Sequence, residues 1–218
     1  MTDEMQADLA WAYTSKEVDV AIKEMAPLKA LGSDGMPHLF YRPIGLILGW
    51  MFQVILSSLN SGAILKSINH TSITLIPKVN NLEKVFDFRP ISLCNVIYKI
   101  VSKVIANHLK PMHNSIISET ESAFTTDHLI TNNILIAFEN LHHMKTNYTG
   151  KKGFMALKMD MSKAYDRVEW IFLEKILLKM GFQASWVAMI MECINTVSYS
   201  ILVNGEPMGI ISSSRGLR

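Results

Sequence analysis

Two aspartates, Asp160 and Asp166, follow an apolar run in the second half of the chain. Carboxylates are preferred ligands of Mg²⁺, and sites that transfer phosphoryl groups often use one or two of them together with substrate oxygens. Residues 154–159 predict a short buried strand, and Ser162 is a suitable N-cap for a helix that contains Asp166. The two carboxylates then lie on different elements, so we expect Asp160 alone, at the end of the strand, to be available for chemistry.

Both aspartates also fit roles without chemistry. Asp160 can be a loop acid after a strand, and Asp166 can pair with Lys163 on a solvated helix face. The spacing of the residues leaves these alternatives open.

The elements that would position these residues alternate between helices and strands. Thr14 and Glu17 form a capping box for a helix with Val18, Ala21 and Ile22 on one face. A turn-rich loop covers residues 31–37, strands are predicted at 71–77 and at an Asn204-Gly205 hairpin, and further helices at 97–112, 128–145, 162–180 and 185–197. This order predicts an α+β fold that is rich in helices.

Composition is typical of a globular chain, with 49% hydrophobic and 18% charged residues. The net charge is +2, but residues 1–25 hold six acids against two lysines. Two cysteines far apart give little support to a disulfide framework or a zinc site. Because the N-terminus lacks the pattern of a signal peptide, we expect an intracellular protein, cytoplasmic or nuclear.

One stretch is long enough to raise the question of a membrane span. Residues 43–65 contain no charged side chain. Polar residues crowd their second half, and Asn60-Ser61-Gly62 is typical of a helix end. We therefore expect a core helix that begins at Pro43, and no membrane association.

The segment Met159-Asp-Met-Ser-Lys-Ala-Tyr-Asp-Arg-Val168 resembles the first catalytic motif of the reverse transcriptases of non-LTR (LINE-type) retrotransposons, especially those of plants. Other segments resemble that family in the same order: Lys29-Ala-Leu-Gly-Ser-Asp-Gly35, Leu75-Ile-Pro-Lys78, Phe88-Arg-Pro-Ile-Ser-Leu93, Tyr98-Lys-Ile100, Glu121-Ser-Ala-Phe124, Asn204-Gly-Glu-Pro207 and Ser214-Arg-Gly-Leu-Arg218.

The resemblance implies the fingers and part of the palm of a right-hand polymerase. Residues 1–70 would form a helical N-terminal extension, and residues 71–218 the fingers and the first part of the palm. The implied reaction is RNA-directed DNA synthesis, with an RNA template, a DNA primer and dNTPs as partners. Two Mg²⁺ ions would stabilise the attacking and leaving oxygens.

The same resemblance implies roles for individual residues. Asp160 would bind both Mg²⁺ ions, aided by the Met161 carbonyl. Lys78 and Arg89 would hold the dNTP triphosphate, and Tyr165 would stack against the sugar and exclude a 2′-hydroxyl. From the sequence pattern alone, Lys78 and Arg89 are ordinary surface bases, and Tyr165 is a core aromatic.

The sequence also departs from the family pattern. His128 stands where the family has an arginine that meets phosphate, and Leu31-Gly-Ser-Asp-Gly35 replaces Pro-Gly-Pro-Asp-Gly. The chain stops before the Ala-Asp-Asp motif, the rest of the palm and the thumb. We therefore expect two of three metal-binding carboxylates to be absent and this fragment to be inactive.

Two other functions stay open at this point. The chain can be a non-catalytic retroelement remnant that retains nucleic-acid or protein binding. It can also derive from an RNA-templated RNA polymerase, although Tyr165 argues against ribonucleotide use.

Overall fold

The computed structural model describes residues 2–26, 30–37, 49–118, 120–122, 129–146 and 153–217. The chain divides into two compact units. The first unit comprises residues 1–109 and 164–218, and the second unit comprises residues 110–163. Helices and a mixed sheet are both present, which confirms the predicted α+β class.

The elements follow one another in a mixed order along the chain. The helices are α1 (Asp3–Leu9), α2 (Ser15–Glu24), α3 (Gly49–Ser61), α4 (Val96–Leu109), α5 (His113–Ile116), α6 (Ile130–Thr146), α7 (Trp170–Lys179) and α8 (Ala184–Asn195). The strands are β1 (His70–Pro77), β2 (Phe88–Cys94), β3 (Ser198–Val203) and β4 (Glu206–Ile211). Helices α5 and α6 belong to the second unit, and the other elements belong to the first.

The strands form one sheet in the order β2-β1-β3-β4. β1 pairs antiparallel with β2 and parallel with β3, while β3 and β4 form an antiparallel hairpin. Asn204 and Gly205 connect that hairpin with φ angles of 53° and 87°. Two positive φ angles in succession are typical of the tight turns that match strand twist, so the Asn-Gly prediction is confirmed.

The helices α2, α3 and α4 pack together around the main apolar core. The predicted capping box is present: the Glu17 amide donates to the Thr14 hydroxyl, and the Glu17 carboxylate accepts from the Thr14 amide. Apolar residues at helical spacing are fully or almost fully buried, among them Val18, Ala21, Ile55, Ile100, Val101 and Val104. The helix predicted over residues 97–112 is confirmed as α4, followed by a short 3₁₀ turn.

A buried asparagine ties the start of β1 to the end of α8. The Asn69 side-chain amide donates to the Cys193 carbonyl at 2.9 Å and to the Thr196 hydroxyl at 2.7 Å. Burying an amide without hydrogen bonds costs free energy. These two bonds therefore stabilise the position of the start of β1 beside the end of α8.

The strand predicted over residues 154–159 is wrong. These residues are not in a strand, and Met155, Leu157 and Met159 are all more than 70% exposed. An apolar run becomes a buried strand only when a neighbouring strand offers a hydrogen-bonding edge, and no described strand pairs with this segment. Asp160 therefore does not follow a buried strand.

The start predicted at Ser162 for the helix over residues 162–180 is also wrong. Asp166 lies in a 3₁₀ turn, Tyr165–Arg167, and α7 begins only at Trp170. The Tyr165 carbonyl accepts from the Leu217 amide at 2.9 Å. In an α-helix that carbonyl would accept from the residue four positions later, so the contact with the later segment replaces helical pairing. The end of α7 near Gly181 is as predicted.

Apolar residues recur at helical spacing along α6, a pattern that predicts a buried face, but these residues are exposed. Ile134, Phe138 and Leu141 are each more than half exposed. The helix itself is confirmed, but periodicity cannot supply the surface against which an apolar face packs.

The core-helix prediction for residues 43–65 is confirmed for the described part, α3, which buries Met51, Ile55 and Leu59. Pro43 and His128 lie outside the described residues. Among the helices that are described, none is long and apolar enough to cross a bilayer.

Candidate functional site

The antiparallel ladder of β1 and β2 brings two of the predicted site residues together. Ile76 pairs with Arg89, and the Lys78 amide donates to the Asp87 carbonyl at 2.7 Å, which continues the same register. Lys78 lies one residue beyond β1, and Asp87 lies in a 3₁₀ turn just before β2. Because side chains alternate between faces along a strand, extending the register by this one pair makes Lys78 and Arg89 diagonal neighbours on one face. Such neighbours have Cα atoms about 7–8 Å apart, within reach of a single polyphosphate for two long side chains.

Hydrogen bonds within the loop shape this end of the hairpin. The Asp87 carboxylate accepts from the Glu83 and Lys84 amides at 3.0 and 2.8 Å, and these bonds lower the pKa of Asp87. The Lys78 ammonium donates to the Phe86 carbonyl at 2.8 Å. Lys78 and Arg89 are both exposed, and neither forms a salt bridge with a described residue. Arg89 is therefore open to an anion from solvent, whereas the exposed Lys78 ammonium would have to exchange its bond with the Phe86 carbonyl for a bond to the anion.

Tyr165 is 59% exposed and begins the 3₁₀ turn that precedes α7. Hydrogen bonds to Gly216 and Leu217, near the end of the chain, fix the backbone around this turn. The Leu217 amide donates to the Tyr165 carbonyl, the Gly216 amide donates to the Val168 carbonyl at 2.8 Å, and the Trp170 indole donates to the Gly216 carbonyl at 2.8 Å. The exposed ring is thus placed by a fixed backbone rather than by core packing.

Asp160 and Met161 belong to the second unit and are exposed in a segment without regular structure. Tyr165, Lys78 and Arg89 belong to the first unit. The structure therefore brings Lys78 and Arg89 together and leaves Asp160 on a separate unit.

A magnesium site needs more carboxylates than the described residues bring together. No group of three or more His, Cys, Asp or Glu side chains among them could hold a metal ion. Asp160 is a single exposed carboxylate, so the described residues do not fit a two-ion centre.

Residues 76–217, more than half of the chain, match the family model described as reverse transcriptase (RNA-dependent DNA polymerase). The chain belongs to the reverse transcriptase family. The chain is also similar to the transposon TX1 uncharacterized 149 kDa protein of Xenopus laevis, with 26% identity over 206 residues. These findings confirm the prediction of reverse transcriptase sequence from a retroelement.

The match covers 94% of this chain but only 16% of the Xenopus protein. The chain thus spans about a sixth of the length of that relative.

Within this reverse transcriptase chain, sequence reasoning missed a structural role for the loop at residues 30–37. The Asp34 carboxylate accepts from the Val96 amide at 2.7 Å, at the start of α4. Asn95 accepts from the Ser33 hydroxyl and the Asp34 amide. Gly32 lies against β2, where an added Cβ would be 2.4 Å from the Cys94 carbonyl oxygen.

The contacts of Gly32 and Asp34 give a physical reason for the Gly-Ser-Asp-Gly sequence. The glycine permits close backbone approach, and the acid caps a helix that lies far away along the chain. The sequence pattern predicts a turn here and the family resemblance covers the same residues, but neither indicates a cap, because an acid that caps a distant helix has no local pattern. The loop holds the end of β2, the strand that carries Arg89.

Proposed function

We propose that this chain is part of an RNA-directed DNA polymerase of a LINE-type retroelement, and that its β1–β2 hairpin is the part of the fingers that holds the dNTP triphosphate. The observation that carries the proposal is the ladder register, which supports Lys78 and Arg89 as diagonal neighbours on one face. A guanidinium fork and an ammonium suit phosphate oxygens.

The assignments to a plant-type element and to the fingers and palm rest on the residues of the motifs. Residues 159–168 support the plant-type subdivision, although the relative described above comes from a frog. Residues 71–218 would be fingers and partial palm, and residues 1–70 an N-terminal extension. RNA template and DNA primer would be the partners of the intact polymerase.

Tyr165 and Asp160 receive separate roles in the proposal. The exposed Tyr165 ring would stack against the deoxyribose and exclude a 2′-hydroxyl. Asp160 and the Met161 carbonyl would supply ligands to Mg²⁺, which stabilises charge on phosphate oxygens when it is bound. The other carboxylates would come from an Ala-Asp-Asp motif, and this sequence contains no adjacent aspartates.

A nucleotide titration tests the triphosphate assignment. We expect the 218-residue chain to bind fluorescent dTTP, and unlabelled dTTP to compete at least tenfold better than dTMP, because the β- and γ-phosphates supply most of the charge. Arg89→Ala should weaken binding about tenfold or more, since a hydrogen bond to a charged group contributes about 1.5–3 kcal/mol.

Lys175→Ala is the matched control for that titration, because it removes one exposed positive charge from α7 of the same unit. Its affinity for dTTP should stay within twofold of the unchanged chain. Equal losses in Arg89→Ala and Lys175→Ala would refute a specific triphosphate site and indicate only a general charge effect.

A further inference from the structure

The first unit contains a surface cavity of about 390 Å³ that the proposed polymerase function does not use. It is lined by the connection between α1 and α2, the end of α3 and the start of α8. Most of the lining is apolar or aromatic, including Leu9, Trp11, Tyr13, Leu59, Trp186 and Met189. Its size and lining are typical of a pocket that takes one bulky apolar group.

Two residues of the lining carry buried polar atoms without an aligned hydrogen-bond partner in the described chain. These atoms are the Tyr13 hydroxyl and the Trp186 indole nitrogen. Both side chains are buried, at 8% and 5% exposure. The Trp186 indole acts on the Tyr13 hydroxyl as a hydrogen-bonding side chain, so the two groups face each other beneath the cavity and are closed to solvent.

The Asn60 side chain fixes one wall of the cavity through two hydrogen bonds to the Tyr13 backbone. The Tyr13 amide donates to the Asn60 side-chain oxygen at 2.9 Å, and the Asn60 side-chain amide donates to the Tyr13 carbonyl at 3.2 Å. Trp11 lies two residues before Tyr13 and is 71% exposed. An exposed indole beside a preformed apolar cavity is typical of the aromatic anchors that dominate protein interfaces.

Charge around the cavity selects the class of partner. The lining residues are uncharged, whereas Glu4, Asp8 and Asp19 on α1 and α2 are exposed acids. Residues 1–25 hold six acids and two lysines. Two of these acids already have basic neighbours on α4, because Glu24 pairs with Lys103 and Glu17 contacts His108. The exposed acids Glu4, Asp8 and Asp19 still attract cationic groups and repel phosphates, which favours a basic peptide over nucleic acid.

We infer that this cavity is a docking site for a basic peptide segment of another protein, which inserts one apolar side chain beside Trp11 and places its lysines or arginines against the acids of α1 and α2. The inference does not depend on nucleotide binding at Lys78 and Arg89. Its failure would leave the proposed polymerase function untouched.

A designed peptide tests this inference. The probe is a short fluorescein-labelled peptide with a central phenylalanine, alanine spacers and two lysines at each end, and its anisotropy is measured as the 218-residue chain is added. We expect saturable binding. A peptide with glutamates in place of the lysines, or with alanine in place of phenylalanine, should bind at least fivefold more weakly.

Two tryptophan variants locate the binding site. Trp11→Ala should weaken binding of the lysine peptide at least tenfold. Trp50→Ala, which removes another largely exposed tryptophan from α3 outside the cavity, should leave the affinity unchanged. Circular dichroism of both variants should match that of the unchanged chain, because both side chains are largely in solvent.

Three results would overturn the inference. One is the absence of binding up to about 1 mM peptide, the range of the weakest specific contacts. Another is an equal loss in Trp11→Ala and Trp50→Ala. The third is displacement of the peptide from the cavity by single-stranded oligothymidine, which would assign the cavity to nucleic acid.

Discussion

Single residues of this chain show how burial and distant contacts change the behaviour of ordinary side chains. Tyr13 is buried against the edge of the His108 ring, with ring centroids 4.7 Å apart. Burial, followed by the charges of Glu17 and Cys193, raises the pKa of Tyr13 to about 12, and the nearby Trp186 indole opposes this shift. The folded chain therefore keeps the Tyr13 proton at pH values where the unfolded chain releases it.

That difference makes stability depend on alkaline pH. Between about pH 10 and 12 the unfolded state binds fewer protons than the folded state, so the free energy of unfolding falls as the pH rises. The Tyr13 contribution to this loss is expected to reach about 2–3 kcal/mol at pH 12. Below about pH 10, the usual pKa of a tyrosine, Tyr13 causes no such loss of stability.

Urea unfolding at several pH values measures the effect. Tyr13→Phe should lose less stability between pH 10 and 12 than the unchanged chain, because the variant has no phenol to titrate. If the free energy of unfolding fell equally in the two proteins between pH 10 and 12, the loss could not be assigned to Tyr13.

Asp34 is the second residue with a clear energetic role. Its carboxylate caps α4 at Val96 across 62 positions of sequence. Asp34→Ala should lower the free energy of unfolding by about 1–2 kcal/mol, as the loss of a helix cap does. Asp19→Ala removes an exposed acid from α2 and should change stability by less than about 0.5 kcal/mol. Equal values for the two variants in urea unfolding would show that the cap contributes nothing.

At the scale of elements, sequence patterns predict correctly those helices and turns that contacts between nearby residues stabilise. The capping box of α2, the periodic apolar face of α4 and the Asn204-Gly205 turn were all foreseen, because each depends on residues a few positions apart. β2 was missed as a strand, since its Phe-Arg-Pro-Ile-Ser-Leu-Cys sequence contains proline and does not alternate. Only its pairing with β1 makes it a strand.

The displaced start of α7 has a cause that lies outside its own sequence. The Leu217 amide donates to the Tyr165 carbonyl, and the Gly216 amide donates to the Val168 carbonyl. A glycine at position 216 leaves room for the two backbone segments to lie this close together. A Cβ on Gly216 would be 3.1 Å from the Asp166 carbonyl oxygen. No local signal before residue 170 predicts such a contact.

Paired glycine substitutions test that contact. Gly216 and Gly205 have nearly identical φ angles of 88° and 87°, but only Gly216 has atoms near its missing Cβ. Gly205→Ala therefore reports backbone strain alone, at about 1 kcal/mol. Gly216→Ala should cost about 1 kcal/mol more and should change Trp170 fluorescence, because the indole bonds the Gly216 carbonyl. An equal cost without a spectral change would argue against the contact.

At the scale of the whole molecule, the candidate site was only partly predictable. Lys78 and Arg89 are unremarkable in the sequence pattern, and only the family resemblance assigned them a role. The sheet register then gave that pair a physical basis. Asp160 is the opposite case: its pattern suggested chemistry, but no described carboxylate cluster accompanies it.

The number of carboxylates sets what the chain can do alone. With one candidate ligand in Asp160 and no adjacent aspartates in the sequence, the purified 218-residue chain should extend no primer on an RNA template in the presence of Mg²⁺. Primer extension followed on a sequencing gel measures this. Incorporation that Asp160→Asn abolishes would contradict the expectation, whereas incorporation that survives Asp160→Asn would indicate a contaminating polymerase.

Lys78 and Arg89 are proposed to hold one triphosphate together, and a double-mutant cycle on dTTP affinity distinguishes this from two independent contacts. Affinities are measured for the unchanged chain, Lys78→Ala, Arg89→Ala and the double variant. If both cations contact the same triphosphate, the two losses should be non-additive by about 0.5–3 kcal/mol. Losses that add within about 0.3 kcal/mol, or no loss in either variant, would contradict the claim.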